Sequence, residues 1–194
     1  MSKIVLRFGN IKHEAKKTEE ELKRFGRQWI GNARRSLTAQ NAKASGELYN
    51  SFPDDPRIYQ KGGTFGVDIT PGVDYWEYLD KGVQGAKSSP FRRQRESPFK
   101  YTTKFPPAGA IDRWTIRKGI SPRDERGRFI DRKSLTFLIR RAIYTRGIKP
   151  RLFITGTKER IQKKAILGIG RAVTKDIANA LREMVKENTN GTNL

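Results

Sequence analysis

Few side chains in this 194-residue chain are types that carry chemistry, and their spacing is unhelpful to it. Cysteine is absent, so thiolate nucleophiles, disulfides and sulfur metal ligands are excluded. The single histidine, His13, has no acidic or histidine partner in its neighbourhood of the sequence and reads as a surface residue. Two acidic pairs, Asp54 with Asp55 and Asp124 with Glu125, offer oxygen ligands of the kind magnesium takes, but both lie in turn-forming stretches where adjacent acids are normally solvated. Leu167-Gly168-Ile169-Gly170-Arg171 carries two glycines inside a helical run, a weak match to any phosphate-cradling loop. The expectation is a protein with no catalytic residues, no metal site and no cofactor.

What remains is cationic charge. Forty-one Lys and Arg against twenty Asp and Glu give a formal net charge of +21. Residues 86–133 hold fourteen basic residues against five acidic ones, and residues 134–175 hold eleven against one, so nearly all of the excess lies in 86–175. Lys87, Arg92, Arg93, Arg95, Lys100, Lys104, Arg140, Arg141, Lys149 and Arg151 are the candidates for facing DNA or a partner. A dense cluster of this kind gains from counterion release when it meets a polyphosphate, whatever the base sequence. Zinc-finger, basic-zipper and RNA-recognition signatures are missing, so such contact is directed at the backbone and unspecific.

The elements that position these side chains follow from periodicity. Lys3–Phe8 alternates as a strand closed by Gly9-Asn10, and Ile11–Leu37 turns helical, with Thr18 and Glu21 as a capping box that starts the main helix and Leu22, Phe25, Trp29, Ala33 and Leu37 as its apolar stripe. Ser45–Phe52 is a short helical or turn segment. Arg57–Lys61 and Thr64–Thr70 flank Gly62-Gly63 as an antiparallel hairpin. Val73–Gly82 is a strand end running into a helical turn stopped by Gly82, with Tyr75, Trp76 and Tyr78 packing against the hairpin rather than stacking on bases. Residues 85–104 lack periodicity and read as an exposed, mobile basic arm in which Phe91, Phe99, Tyr101 and Phe105 interleave with charge.

The best-punctuated helix is Pro106–Ile120. Two prolines stand at its first turn, Gly119 at its end, and Ala110, Ile111 and Trp114 form a face expected to pack inward. Ser134 is the expected N-cap of a helix to Arg146 with Leu135, Leu138, Ile139, Ala142 and Ile143 inward and Arg140-Arg141 on the wet side. A long helix runs from about Lys158 to Lys186, with Gly168 and Gly170 marking close packing or a bend, and 188–194 is a flexible tail. The reading is a single α+β domain over 1–194: a small antiparallel sheet packed by an N-terminal helix, two mid-chain helices and a long C-terminal helix. No apolar run is long enough to cross a bilayer, and the first residues lack a secretory signal's apolar region.

Four stretches in order, Ser45–Phe52, Val73–Gly82, the proline-led tryptophan helix ending Lys118-Gly119-Ile120, and Ala142-Ile143 through Gly147-Ile148-Lys149-Pro150-Arg151-Leu152-Phe153, resemble the tail-completion or neck proteins of tailed bacteriophages, the family of the lambda-type minor tail protein Z. The resemblance spans about residues 45–153. It implies a small α+β subunit forming a homo-oligomeric ring, a hexamer or higher, at the head-tail junction of the virion. The ring would surround the DNA conduit between portal or adaptor and tail proteins, and assemble in the host cytoplasm without a membrane. Family members place an acidic residue before the glycine of the second motif, where this chain has Asp80-Lys81-Gly82. The alternative is a basic protein that binds nucleic acid non-specifically on its own.

Overall fold

Short alternating segments around glycines form hairpins, and longer segments with three- and four-residue apolar spacing form helices, giving an α+β chain. The computed structural model describes residues 5–8, 11–42, 45–61 and 64–190. Strands β1 (Val5–Phe8) and β2 (Ile11–Glu14) pair antiparallel with Phe8 opposite Ile11, and α1 (Lys16–Ala39) follows at once. The helical pattern expected from Ile11 thus begins only after Glu14, because Ile11–Glu14 serves the ladder instead, and α1 starts two residues before Thr18, the expected start of the main helix. Strands β3 (Arg57–Lys61) and β4 (Thr64–Asp68) form the expected second hairpin, with Lys61 opposite Thr64. The turn residues Gly9-Asn10 and Gly62-Gly63 lie outside the described residues.

The remaining helices are α2 (Glu47–Asn50), α3 (Trp76–Lys81), α4 (Arg92–Arg95), α5 (Ala108–Arg117), α6 (Arg132–Arg146) and α7 (Thr155–Asn190). Two-residue strands β5 (Val83–Gln84) and β6 (Gly147–Ile148) make a third antiparallel ladder. Among the described residues the strands thus form three separate two-stranded ladders rather than one small sheet.

The chain folds as two compact units. Unit 1 comprises 1–33, 52–70 and 157–194, and unit 2 comprises 34–51 and 71–156, so α1 and α7 each contribute to both. In unit 1, Ala15, Leu22 and Ile58 are buried together with Phe65, Val67 and Ile169 around them. Gly26 is required there, since a Cβ would fall 2.4 Å from Pro56 Cβ. Gly168 also marks close packing, its missing Cβ leaving room for Glu21. The start of α1 is not capped by Thr18 and Glu21. Asp176, 2% exposed on α7, accepts from the Lys17 and Thr18 amides at 3.2 and 2.8 Å and from the Thr18 hydroxyl at 2.7 Å. A carboxylate is well placed at a helix N-terminus, where the first amides lack intrahelical partners. His13 is half-buried and pairs with Glu183 at 2.8 Å, a partner that sequence proximity conceals.

In unit 2 α5 lies inside the expected Pro106–Ile120, with Pro107 as N-cap rather than in the first turn and Gly119 past its end at φ +62°. Its expected inward face does not hold. Ala110 and Trp114 are exposed, Ile111 is half-buried, and Thr115 is the buried residue. On α6 Leu135 and Thr136 are buried, whereas Phe137, Leu138 and Ala142 are exposed. Asp131, not Ser134, is its N-cap, accepting from Lys133 and Ser134 amides at 3.0 and 3.2 Å. Both helices therefore bury a narrower stripe than their apolar residues cover. The long helix α7 shows the same excess, with Ile166, Leu167, Leu181 and Val185 exposed. Gly170 has open space beside it. Residues 188–190 continue α7, and 191–194 lie outside the described residues.

Candidate functional site

The basic candidates all fall in unit 2, which carries 23 Lys and Arg against 9 Asp and Glu, compared with 18 against 11 for unit 1. Their placement depends on one buried polar node. Asp80, at the end of α3, is fully buried, and its Oδ1 accepts the Ile154 amide at 2.7 Å, with the Thr155 amide 3.3 Å from Oδ2. It thereby caps the start of α7 from 74 residues away. Burial pushes its carboxyl above the ordinary carboxylate range, while the Ile154 and Thr155 donors and nearby Lys81 pull it back. Its carbonyl accepts from Leu152, whose φ of +52° turns the chain into the helix.

Gly82 then leaves α3 at φ +75°, a region that L side chains rarely adopt, and a Cβ there would sit 2.6 Å from Ile148 O. Gly147, at φ +76°, brings β6 against β5 so closely that a Cβ would lie 2.0 Å from Val83 O. Gln94 closes the node. Fully buried on α4, it donates from Nε2 to Val83 O at 2.8 Å and to Arg146 O at 2.7 Å. Ser97 Oγ donates to Gly82 O at 2.7 Å, and Gln84 Nε2 to Ser97 O at 2.7 Å.

These bonds correct the expectation of a mobile arm at 85–104. The Gln84 amide donates to Phe99 O, the Tyr101 amide to Gln84 O, and the Ala86 amide to Tyr144 O, so the segment is stitched to β5 and α6 along its length. Two of its aromatic residues also make ring contacts within unit 2, though Phe105, like Phe91, stays exposed. Phe99 packs on Tyr78 with ring centroids 4.4 Å apart, and Phe105 stacks on Tyr144 at 4.3 Å. The described contacts of Tyr78 and Tyr75 run to Phe99 and Glu47, within unit 2.

On this fixed backbone Lys87, Arg92, Arg93, Arg95, Lys100 and Lys104 are exposed, as are Arg141 and Lys149. Arg92 pairs with Glu96 at 3.3 Å, and Arg95 donates to Ser89 O at 3.1 Å. Lys149 lies 4.8 Å from the Phe91 ring centroid, which joins the arm's start to the segment after β6. Arg140 and Arg151 are half-buried and structural as well as cationic. Arg140 donates to Pro106 O at 2.7 Å and lies over Phe105, and the Arg151 amide donates to Leu79 O while its carbonyl accepts from Gln40. The expectation that Arg140 lies on the wet side is corrected accordingly.

Among the described residues no group of three or more His, Asp and Glu is gathered for a metal ion. Asp124 is taken up by its own loop, accepting from the Arg126 and Arg128 amides and from the Arg128 side chain at 3.0 Å, and Asp55 pairs with Arg27 at 2.7 Å. No helix among the described residues is long and apolar enough to cross a membrane.

Sequence reasoning missed the roles of Asp80 and Gln94. An aspartate before a glycine reads locally as a turn, and a glutamine between arginines reads as solvated. No protein-family model, curated protein or solved structure matches the chain.

Proposed function

We propose that this chain is a structural subunit of a tailed bacteriophage, closing into a ring of six or more copies at the head-tail junction around the DNA conduit. It works without catalysis or cofactor, is assembled in the host cytoplasm and remains in the virion. One observation carries the reading: large apolar side chains stand exposed in both units, Phe137 and Leu138 in unit 2 and Ile166, Leu167 and Val185 in unit 1, each at least half exposed. Large apolar side chains left this exposed on a highly charged chain support surfaces that neighbours cover. The basic side chains of unit 2 supply the second requirement, tolerance of passing phosphate or an acidic docking partner. The ordered resemblance of residues 45–153 to the neck-protein family supports the same role.

The exposure of Lys87, Arg92, Arg93 and Arg95 favours a second reading, a solitary protein that binds nucleic acid through its backbone. Mass measurement with and without duplex DNA separates the two. The ring subunit gives a discrete multimer, alone or on a portal platform, irrespective of DNA. The solitary binder stays a monomer or dimer and gains mass only with DNA, in a manner abolished by salt.

A further inference from the structure

The α5–α6 hairpin contains a built cleft that neither the basic arm nor the Asp80 node uses. Its volume is about 410 Å³, and its apolar lining includes Ile116, Ile120, Pro122, Phe129, Ile130 and Leu135. Ile116 and Phe129 are 55% and 64% exposed, so the cleft is open and its apolar lip reaches solvent.

The walls are tied by hydrogen bonds. The end of α5 is closed by Gly119, with the Ile120 amide bonded to Thr115 O at 3.0 Å. The loop that follows is a tight turn in which Asp124 N donates to Arg128 O at 2.8 Å and Ile130 N to Pro122 O at 3.1 Å. Arg132 then ties α6 to α5 through a two-bond pair with Asp112 at 2.6 and 2.7 Å.

The charge around the cleft identifies its occupant. Residues 117–133 hold seven Lys and Arg against three Asp and Glu. Asp124 is engaged by Arg128 and Asp131 by the α6 amides, as Asp112 is by Arg132, so the acids that are present are already satisfied internally, with Glu125 the exception among the described residues. Arg123 lies 3.9 Å over the Phe129 ring with its charge unpaired by any acid, and Arg126 and Lys133 likewise have no ion pair among the described residues. A second copy of a +21 chain is a poor match for that rim. We propose that this cleft docks an acidic segment of a partner protein that inserts an apolar side chain between Ile116 and Phe129. This goes beyond the ring assignment and stands without it.

The test uses the full chain and three synthetic twelve-residue peptides: one of Asp and Glu with spaced Leu and Phe, one with Leu and Phe replaced by Ser, and one with Asp and Glu replaced by Lys. Fluorescence anisotropy gives affinity, and amide chemical-shift changes give location. The acidic apolar peptide is expected to bind with shifts centred on Ile116 and Phe129. It should weaken about tenfold or more on losing its Leu and Phe, as anchor residues in a desolvated pocket do. Ile116→Glu, at an exposed position, is expected to cost a similar factor, while the double substitution Arg57→Ala and Lys61→Ala, at exposed basic residues of β3 outside the cleft, leaves affinity within about twofold. Equal binding of both acidic peptides, insensitivity to Ile116→Glu, absence of binding, or a homo-oligomer that Ile116→Glu dissociates without peptide would each overturn the proposal.

Discussion

The Asp80 carboxylate and the Ile154 amide, 74 residues apart, meet at 2.7 Å and join the end of α3 to the start of α7. Asp80 is fully buried, so the bond is not interchangeable with water. Replacing it by Ala strands the Ile154 and Thr155 amides and is expected to cost about 1–3 kcal/mol of unfolding free energy. Asp80→Asn, which keeps an acceptor oxygen, should cost less. Urea titration of both variants reads the difference directly.

Gly82, Gly147 and Gly119 share a positive φ but differ in surroundings. A Cβ at Gly82 or Gly147 meets backbone atoms at 2.6 and 2.0 Å, whereas nothing lies within 4 Å at Gly119. Gly119→Ala should cost only the left-handed penalty of about 1–2 kcal/mol. Gly82→Ala and Gly147→Ala should cost more, because the β5–β6 ladder must open, and soluble yield with thermal unfolding will rank them.

Gln94 holds two carbonyls, those of Val83 and Arg146, with one amide group. Gln94→Ala leaves both acceptors short of a donor in a dry site and should lose about 2–6 kcal/mol, at about 1–3 kcal/mol per unsatisfied group. Limited proteolysis should then cut within 85–104 faster than in the wild-type chain.

Two carboxyls give opposite acid responses. The Arg132 guanidinium hydrogen-bonded to Asp112 holds that carboxyl below its ordinary value of 3.8, so its contribution to stability is complete above 3.8 and is lost as pH falls through the depressed value. Burial holds Asp80 above 3.8, so the folded state retains its proton where the unfolded chain has released it, and this group's contribution grows as pH falls through that interval. Against wild type, Asp112→Asn should therefore be less stable at pH 7 and approach it at strongly acid pH. Asp80→Asn should fall further behind wild type as pH drops from 7 toward 4. Denaturant midpoints across that range test both.

The α+β class, the β3–β4 hairpin and the existence of α5, α6 and α7 were legible because each is set by local spacing and punctuation, whereas the β1–β2 hairpin was not, since Ile11–Glu14 reads as the start of a helical pattern. What escaped was set by distant partners. Asp176 caps α1 from 158 residues away, and Glu183 reaches His13 across 170, so no window of sequence contains both members. The basic arm was misread as mobile because its order comes from Gln94 and from backbone bonds to α6, neither of which leaves a periodic trace. Trp114 and Leu138 were placed inward because apolar spacing marks a face to be covered without saying by what, and this chain leaves both exposed.

The proposal that this chain is a ring subunit at a DNA conduit is tested most directly by electron cryo-microscopy of the native assembly. A closed ring is expected, with Phe137, Leu138, Ile166 and Leu167 covered by adjacent subunits and Lys87, Arg92, Arg93 and Arg95 facing the channel or an acidic neighbour. A chain that stays monomeric on every platform, or a ring whose basic residues line its outer, solvent-facing wall, would contradict it.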